Sequence, residues 1–323
     1  MQDEPPFELP RPDLGLWRAG NTGTTGVWRF DSGVPGRDVL VTALVHGNEL
    51  CGAWALLALL QHGVRPQRGA LTLAFCNLAA FDTFEPDAHA RSRCVDQDLN
   101  RLWGAMPWRA DGARTQEQRR VLELLPFVER ADWLLDLHSM QDAGPPLVLT
   151  GLHAKHIALA ARMAAPALVV ADAGHAEGTR LRDHGRWNDP ADAEACALLV
   201  ECGFHGELAA RDVALDVTAR FLVEAGTLAA GDVPDDWVQP QPREQRFLLV
   251  TEAVTAEAGE GATGFVQRWH TGQRIPLAGT LLGHNAGRPF VTPYDGCTLI
   301  MPTRRAPRPG ATLVRLARDV SAP

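Results

Sequence analysis

Residues 38–49 read DVLVTALVHGNE, a run of β-forming apolar residues that closes on His46 and Glu49. Because the run is nearly continuous rather than alternating, it predicts a strand that is covered on both faces, as in a parallel sheet. The following residues, 49–62, are rich in alanine and leucine and stop at Gly63, which predicts a helix. A strand followed at once by a helix is the repeating unit of a parallel α/β fold.

The same alternation continues through the first two thirds of the chain. Further strands are predicted at 70–77, 132–138, 146–150, 167–171 and 195–201, and further helices at 115–130, 154–164 and 207–228. Between them, residues 78–112 form a polar stretch with little periodicity, and a loop of that length in a compact domain is usually functional or disordered. The arginines in this stretch favour a functional loop over a disordered one. We therefore predict an α/β fold with a mixed, mostly parallel sheet and helices on both faces.

The last third of the chain has a different character. Residues 231–246 hold three prolines among acidic residues, which indicates a linker. Beyond it, residues 247–323 consist of short apolar runs separated by turn signals, a pattern typical of a small β domain. We therefore predict a larger domain at 1–230, a proline-rich linker at 231–246 and a small β-rich C-terminal domain at 247–323.

Composition narrows the classes of function. The chain has 323 residues and a formal charge of −8, without a basic cluster that would indicate nucleic-acid binding. It has no run of about 18 apolar residues to cross a membrane, and its first residues, MQDEPP, are acidic where a signal peptide is basic. The six cysteines lack C-x-x-C spacing, so neither a thiolate metal site nor a disulfide framework is expected. We predict a cytoplasmic protein without nucleic-acid or membrane partners.

Three predicted strands carry a candidate metal ligand or a candidate general base at their carboxyl ends. His46 and Glu49 follow the strand that begins at residue 38, His138 closes the strand at 132–138, and Glu201 closes the strand at 195–201. Carboxyl ends of parallel strands meet at one edge of a sheet, where ligands bind. Each signal alone is weak, because H-x-x-E is frequent by chance and a strand-end glutamate often complements a helix dipole. Their coincidence with the arginine-bearing loop favours a functional site.

The chemistry of these residue types is consistent with a hydrolytic zinc site. Two imidazoles and one carboxylate give zinc three protein ligands and leave a fourth position for water, whose pKa falls to roughly 7. A separate carboxylate can accept the proton of that water and deliver it to a leaving amine, and Glu201 suits that role. Asp136 lies two residues before His138 on the same strand face, where it can orient the imidazole.

Four motifs together carry a resemblance to a known family. They are HGNE at 46–49, RSRCVDQDLNR at 91–101, LLDLHS at 134–139 and VECG at 200–203. In their order and approximate spacing, the chain resembles the succinylglutamate desuccinylase/aspartoacylase family, a branch of the zinc carboxypeptidase fold. The resemblance covers most of residues 38–228, and the tail sequence GTLLGHNAGRPFVTPYDGCTLIMP resembles the family's smaller C-terminal domain. A zinc-carboxypeptidase-like fold is implied.

The resemblance also implies roles for single residues. It implies that one zinc ion is bound by His46, Glu49 and His138. It implies that Glu201 is the general acid and base, and that Arg93 polarises the scissile carbonyl.

Three more residues are implied to contact substrate. Asn100 and Arg101 match the pair that binds the α-carboxylate, and a guanidinium suits a carboxylate bidentately. Tyr294, in the turn sequence PYDG, lies near the place where aspartoacylase brings a tyrosine to its substrate.

One departure from the family concerns a further arginine. Aspartoacylase has it roughly ten residues before the catalytic glutamate, where this chain reads DPADA. Arg180, Arg182 or Arg186 is a candidate substitute from the preceding loop, and the sequence leaves the choice open. His184 and His205 are near the right strands to line the pocket, although surface positions are the more ordinary interpretation.

These inferences predict a zinc-dependent amidohydrolase that removes the acyl group from an N-acyl amino acid or a related small carboxylate. Two alternatives stay open: a zinc carboxypeptidase that acts on short peptides, and a catalytically silent binding protein. The expected partner is a small-molecule substrate, and a homodimer is expected by analogy with the family.

Overall fold

Fourteen strands and six α-helices are defined within the ranges that the computed structural model describes, residues 6–240, 242, 244–303 and 308–322. The strands are β1 Val27–Asp31, β2 Asp38–Ala43, β3 Ala70–Phe75, β4 Trp133–Met140, β5 Leu147–Leu149, β6 Leu168–Ala171, β7 Cys196–Phe204, β8 Arg246–Thr255, β9 Gly264–Phe265, β10 Arg274–Ile275, β11 Leu281–Asn285, β12 Arg288–Val291, β13 Cys297–Ile300 and β14 Thr312–Val320. The helices are α1 Leu50–Gln61, α2 Leu78–Asp82, α3 Trp108–Asp111, α4 Gln116–Arg130, α5 Ala154–Met163 and α6 Leu208–Glu224.

One large sheet organises these elements in the order β1-β3-β2-β4-β7-β5-β6-β8-β14-β13-β10. Its centre is parallel, because β2 pairs in parallel with β3 and β4, and β4 pairs in parallel with β7. Strand β1 is antiparallel to β3 at the edge, and β5 is antiparallel to β7. The predicted mixed, mostly parallel sheet is therefore confirmed for the part of the chain before residue 230.

Helices cover both faces of the parallel centre. Val39 and Val41 of β2 belong to one buried cluster, which includes side chains of α1 and α6 such as Leu56. Leu40, between them, belongs to a second buried cluster with Leu124 of α4. Because alternate residues of a strand point to opposite faces, burial of both faces explains the continuous apolar run at 38–45.

The C-terminal region continues the main sheet. Strand β8 pairs in parallel with β6, so that Val169 lies beside Phe247. Strands β14, β13 and β10 follow in antiparallel order, and β12, β11 and β9 form a separate small sheet. The predicted β character is confirmed, but the sheet passes from one region into the other without a break. The boundary at 231–246 stays a prediction.

The proline-rich segment packs along the larger region. Trp237 is buried, and its ring contacts His62 edge-on at 4.9 Å between centroids. The backbone N–H of Gln239 donates to the carboxylate of Asp216 on α6 at 3.0 Å. Among the predicted domain ranges, positions 1–5, 241, 243, 304–307 and 323 lie outside the described residues.

Two further observations concern the cysteines and the possibility of a membrane-spanning helix. The six cysteines are free thiols, and all but Cys94 are buried. In the described part of the chain, no helix has both the length and the apolar character needed to cross a membrane.

Candidate functional site

The turn after β2 carries His46 and Glu49 and is fixed by close packing at Gly47. A Cβ atom at Gly47 would collide with the backbone of Ala80 in α2, so only glycine fits there. The backbone N–H of Gly47 donates to the carbonyl of Arg93 at 3.2 Å. The histidine-bearing turn and the arginine-bearing loop are therefore held against each other.

Sheet register brings the other two strand ends to the same place. Strands β4 and β7 pair so that His138 lies directly beside Glu201. Because β2 is the other neighbour of β4, the turn with His46 lies next to them at the carboxyl edge. Residues that are far apart in sequence thus meet at one edge of the sheet.

His46, Glu49 and His138 form a buried cluster. Each offers one ligand atom, and these atoms all lie within 4.8 Å of one another. The Nδ1 atom of each histidine is 2.8 Å from one of the two oxygens of Glu49. Burial opposes the charge of Glu49, but the two imidazoles outweigh it and hold the pKa of this carboxyl well below its ordinary value. Two imidazole nitrogens and a carboxylate can hold one divalent metal ion.

A carboxylate fixes the far nitrogen of each imidazole. Asp98 Oδ1 lies 2.9 Å from Nε2 of His46, and Asp136 Oδ2 lies 2.9 Å from Nε2 of His138. With Nε2 engaged in this way, Nδ1 of each ring faces Glu49 and is the nitrogen available as a candidate metal ligand. The sequence predicted the contact of Asp136 from strand periodicity, but it missed Asp98.

Glu201 is a carboxylate beside this cluster that has no part in it. Its Oε2 atom is buried and has no hydrogen-bond partner among the described residues. Burial, and after it the charge of Glu49, raises the pKa of Glu201 to about 8. A buried carboxyl of this kind can take up and release a proton near neutral pH.

The loop after α2 brings two arginines and an asparagine to the cluster. Arg93 Nη2 donates to Oδ2 of Asp98 at 3.0 Å, and Arg101 Nη2 lies 3.8 Å from the same oxygen. Asn100 Oδ1 accepts the backbone N–H of Leu181 at 2.8 Å, which leaves the side-chain amide of Asn100 as a donor.

One cavity of about 400 Å³ brings the principal groups of the site together. It contains the three predicted metal ligands together with Glu201, Arg93, Asn100 and Arg101. Part of its wall comes from the C-terminal region, through Met301, Thr303, Arg308, Ala311, Thr312 and Arg315. The cavity therefore brings together a candidate metal-binding cluster, an acid/base candidate and guanidinium groups.

Residues 35–224 match the family model described as the succinylglutamate desuccinylase/aspartoacylase catalytic domain, which is more than half of the chain. The chain belongs to this family. The matched range contains the three candidate ligands, Glu201 and the arginine-bearing loop. The resemblance that the four motifs predict is thereby confirmed.

One named relative agrees with the family match. A probable aspartoacylase from Parasynechococcus marenigrum (strain WH8102) is 38% identical over 133 residues, which cover 39% of this chain and 42% of that protein. The alignment therefore spans less than half of that relative's length.

Solved structures of the family share the fold over most of the chain. Succinylglutamate desuccinylase from Vibrio parahaemolyticus matches with a TM-score of 0.65 and 15% identity, covering 92% of this chain and 87% of that one. A succinylglutamate desuccinylase/aspartoacylase from Rhodobacter sphaeroides matches with a TM-score of 0.64 and 18% identity, covering 91% and 88%. These similarities confirm the predicted fold class.

Tyr294 does not reach the cavity, although the family resemblance predicts that it contacts substrate. It is absent from the described residues that line the cavity. Its hydroxyl is hydrogen-bonded to Oγ1 of Thr251 at 2.7 Å, and the guanidinium of Arg318 lies 4.8 Å from its ring centroid. In this structure Tyr294 packs on the core of the C-terminal region.

None of the three candidate substitutes for the family's further arginine is free. Arg180 lines the cavity, but both oxygens of Asp172 bind its guanidinium at 2.8 Å. Arg182 is buried and donates to backbone carbonyls. Arg186 is bound by Asp132 near the surface. Each of the three guanidiniums is therefore engaged by other groups of the protein.

The two candidate pocket histidines differ in position. His205 lines the cavity, and its Nδ1 lies 2.8 Å from Oγ of Ser139. His184 donates from Nδ1 to the carbonyl of Trp103 at 2.6 Å, and it is not among the described residues that line the cavity.

Glu117 holds the arginine-bearing loop in place, a role that the sequence did not reveal. Its buried carboxylate accepts the backbone N–H groups of Val95 at 2.7 Å, Asp96 at 3.1 Å and Gln97 at 3.2 Å. It also accepts from the side-chain amide of Asn77 at 3.1 Å. An acidic residue in the first turn of a predicted helix is an ordinary signal, so nothing marked this one as a loop anchor.

A Glu117→Ala variant is expected to lower the free energy of unfolding by about 2–4 kcal/mol, because several buried N–H groups lose their acceptor. Turnover should fall as well, since Arg93 and Arg101 lie on the freed loop. Urea denaturation followed by circular dichroism measures the first effect. Glu129→Ala, at an exposed position near the end of the same helix, is the matched control. An unchanged unfolding midpoint for Glu117→Ala would contradict the anchoring role.

Proposed function

We propose that this protein is a zinc-dependent amidohydrolase that removes the acyl group from an N-acyl amino acid or a related small carboxylate. The observation that carries the proposal is the pairing, in one cavity, of a buried His-Glu-His cluster with Glu201, whose Oε2 has no hydrogen-bond partner among the described residues. Family membership and the names of the relatives support the same chemistry. The cytoplasmic location and the homodimer stay predictions.

The donor set fits zinc. His46, Glu49 and His138 would hold one ion through two Nδ1 atoms and a carboxylate oxygen, which is a common set for catalytic zinc. When bound, such an ion polarises a carbonyl and lowers the pKa of a coordinated water to roughly 7. Asp98 and Asp136 keep both imidazoles in the orientation that this binding requires.

Glu201 moves the proton. Its Oε2 accepts a proton as water attacks the acyl carbonyl carbon, and it later delivers that proton to the nitrogen of the breaking C–N bond. The products are a carboxylic acid and a free amine. Because Oε2 has no hydrogen-bond partner within the described ranges, nothing there competes for this proton.

The loop residues bind and polarise the substrate. Arg93 lies beside Glu49 at 3.5 Å and can donate to the carbonyl oxygen as negative charge develops on it. Asn100 and Arg101 can donate to the α-carboxylate, for which a guanidinium is well suited. A cavity of about 400 Å³, walled in part by the C-terminal region, favours a small substrate over a peptide.

An Arg93→Ala variant is expected to lower kcat by about 10²–10³, with a smaller change in KM. The reason is that the hydrogen bond from Arg93 to the substrate carbonyl oxygen strengthens as negative charge develops on that oxygen in the transition state. Steady-state kinetics on the preferred substrate measures both constants. Arg91→Ala, two residues earlier and exposed, is the matched control. A rise in KM alone would show that Arg93 only binds substrate.

A substrate screen tests the proposed function. Zinc-loaded protein is incubated with N-acetyl, N-formyl and N-succinyl amino acids and with short peptides, and the released amine is quantified. Release from an N-acyl amino acid is the expected result. Release from peptides alone would indicate the carboxypeptidase alternative, and binding without release would indicate a silent binding protein.

A further inference from the structure

The carboxylate of the candidate metal cluster has an outer contact of its own, as the two imidazoles do. Oε2 of Glu49 accepts the backbone N–H of Ser139 at 3.2 Å. Hydrogen bonds to a metal-binding carboxylate orient it towards the ion, and their loss weakens metal binding. The placement of the Ser139 backbone therefore bears on how well Glu49 can serve as a ligand.

Ser139 lies at an irregularity of the sheet. The pairing of β4 with β2 ends at Asp136, whereas its pairing with β7 continues to Met140. Within that last stretch the register shifts, because Ser139 alone lies opposite two residues of β7, Cys202 and Gly203. Such a bulge interrupts the ladder of hydrogen bonds, so other contacts are needed to fix the backbone there.

His205 supplies two such contacts directly after β7. Its backbone N–H donates to the carbonyl of Met140 at 2.9 Å, and its Nδ1 lies 2.8 Å from Oγ of Ser139. The imidazole is buried, and the ring of His89 contacts it edge-on at 6.0 Å between centroids. The end of β4 is thus held by the backbone and by the side chain of the same residue.

The charge of His205 is compatible with a cation nearby. Burial lowers the pKa of His205 to about 3, so that the ring is neutral near pH 7. A neutral imidazole has one N–H and one lone pair, and the hydroxyl of Ser139 can match either of them. The contact therefore adds no positive charge beside the candidate metal cluster.

We propose that His205 is a positioning residue for the metal: through Ser139 it keeps a backbone N–H on Glu49 and so raises the affinity of the cluster for zinc. His205 itself binds neither the ion nor the substrate. The inference rests on the proposed function for the metal cluster, but not for the reaction. It gives a role to the sequence CGFHG at 202–206, which directly follows Glu201.

Zinc affinity in the absence of substrate tests this role. Dissociation constants are measured by competition with a zinc chelator, on metal-free protein that circular dichroism shows to be folded. His205→Ala should weaken zinc binding about tenfold, because the N–H of Ser139 remains and only its placement is lost. His270→Ala, at an exposed histidine, is the control and should bind zinc as the wild type does.

Two polar variants distinguish the position of the contact from polarity alone. Asparagine can place a polar atom where Nδ1 of histidine lies, so His205→Asn should keep near wild-type zinc affinity. Glutamine places its polar atoms closer to the position of Nε2, so His205→Gln should weaken zinc binding as alanine does. The reverse order of the two variants would overturn the proposal.

A double-mutant cycle tests whether His205 acts through Ser139. Ser139→Ala removes the same contact from the other side and should also weaken zinc binding about tenfold. The double variant should then bind zinc about as weakly as either single variant, rather than about a hundredfold more weakly than wild type, because one contact is lost in all three. Additive losses would exclude the coupling.

The outcomes distinguish this inference from the proposed function. If His205→Ala binds zinc as tightly as wild type, the role of His205 is excluded and the hydrolase proposal stands. A rise in KM with unchanged zinc affinity would likewise overturn the inference and make His205 a substrate contact. If zinc affinity falls as expected while no N-acyl amino acid is cleaved, the proposed function fails and the role of His205 stands.

Discussion

A Glu201→Gln variant is expected to lose turnover by a factor of about 10²–10⁴ while it keeps the metal that the wild-type protein binds. Glutamine has nearly the same shape as glutamate, so the packing at the end of β7 should be preserved. Its amide nitrogen cannot accept a proton, and its oxygen is too weak a base to replace a carboxylate. The variant therefore removes the proton transfer and little else.

The metal should remain because Glu201 is not one of the clustered ligands. The three candidate ligand atoms come from His46, Glu49 and His138, and their outer contacts are with Asp98 and Asp136. None of these contacts involves Glu201. Removal of its partial charge should, if anything, relieve repulsion with Glu49.

Kinetics and elemental analysis on the same preparation check both halves of this expectation. The matched control is Glu194→Gln, an exposed glutamate just before β7 and at the opposite end of the strand. It should retain wild-type turnover. Wild-type turnover in Glu201→Gln itself would exclude this carboxylate as the general base and leave the proposed mechanism without a proton acceptor.

The sequence was sufficient to predict the residues at the strand ends. Apolar runs located β2, β4 and β7, and the rule that carboxyl ends of parallel strands share an edge predicted that His46, His138 and Glu201 would meet. Alternation along β4 also placed Asp136 on the side of His138. These predictions depend on local periodicity and on one topological rule, and both are visible in a single sequence.

The contacts that could not be predicted from the sequence are made between loops and distant elements. Asp98 reaches His46 from a stretch without periodicity, and Glu117 reaches Val95 from the next helix. No spacing rule connects such pairs, because an irregular loop can return to many places. Only the folded chain shows which carboxylate holds which group.

The C-terminal region shows a second limit. Its turn signals predicted strands correctly, but a strand pattern does not specify which sheet edge the strand will join. The pairing of β8 with β6 extends the main sheet and places β14 beside the cavity. For that reason the sequence did not predict that Arg315 lines the cavity. Tyr294, which the family resemblance predicted to contact substrate, is not among the described residues that line it.

A His138→Ala variant is expected to lose both the metal and the activity. It removes one of three protein ligands, and loss of an outer partner alone typically costs 10- to 100-fold in metal affinity. The change also leaves Asp136 buried without its imidazole partner, which adds to the damage. Zinc content after dialysis should fall from one equivalent towards zero, and turnover should fall to the level of the uncatalysed reaction.

Elemental analysis measures the zinc content, and circular dichroism on the same sample shows whether the variant is folded. Together they distinguish loss of the metal from unfolding of the protein. His270→Ala, at an exposed histidine, is the control and should keep full zinc and activity. His138→Asn retains a polar side chain and serves where alanine prevents folding. Full zinc in a folded His138 variant would show that this residue is not a ligand. Because Glu201→Gln should keep zinc without turnover and His138→Ala should keep neither, the pair of variants distinguishes proton transfer from metal binding within one cavity.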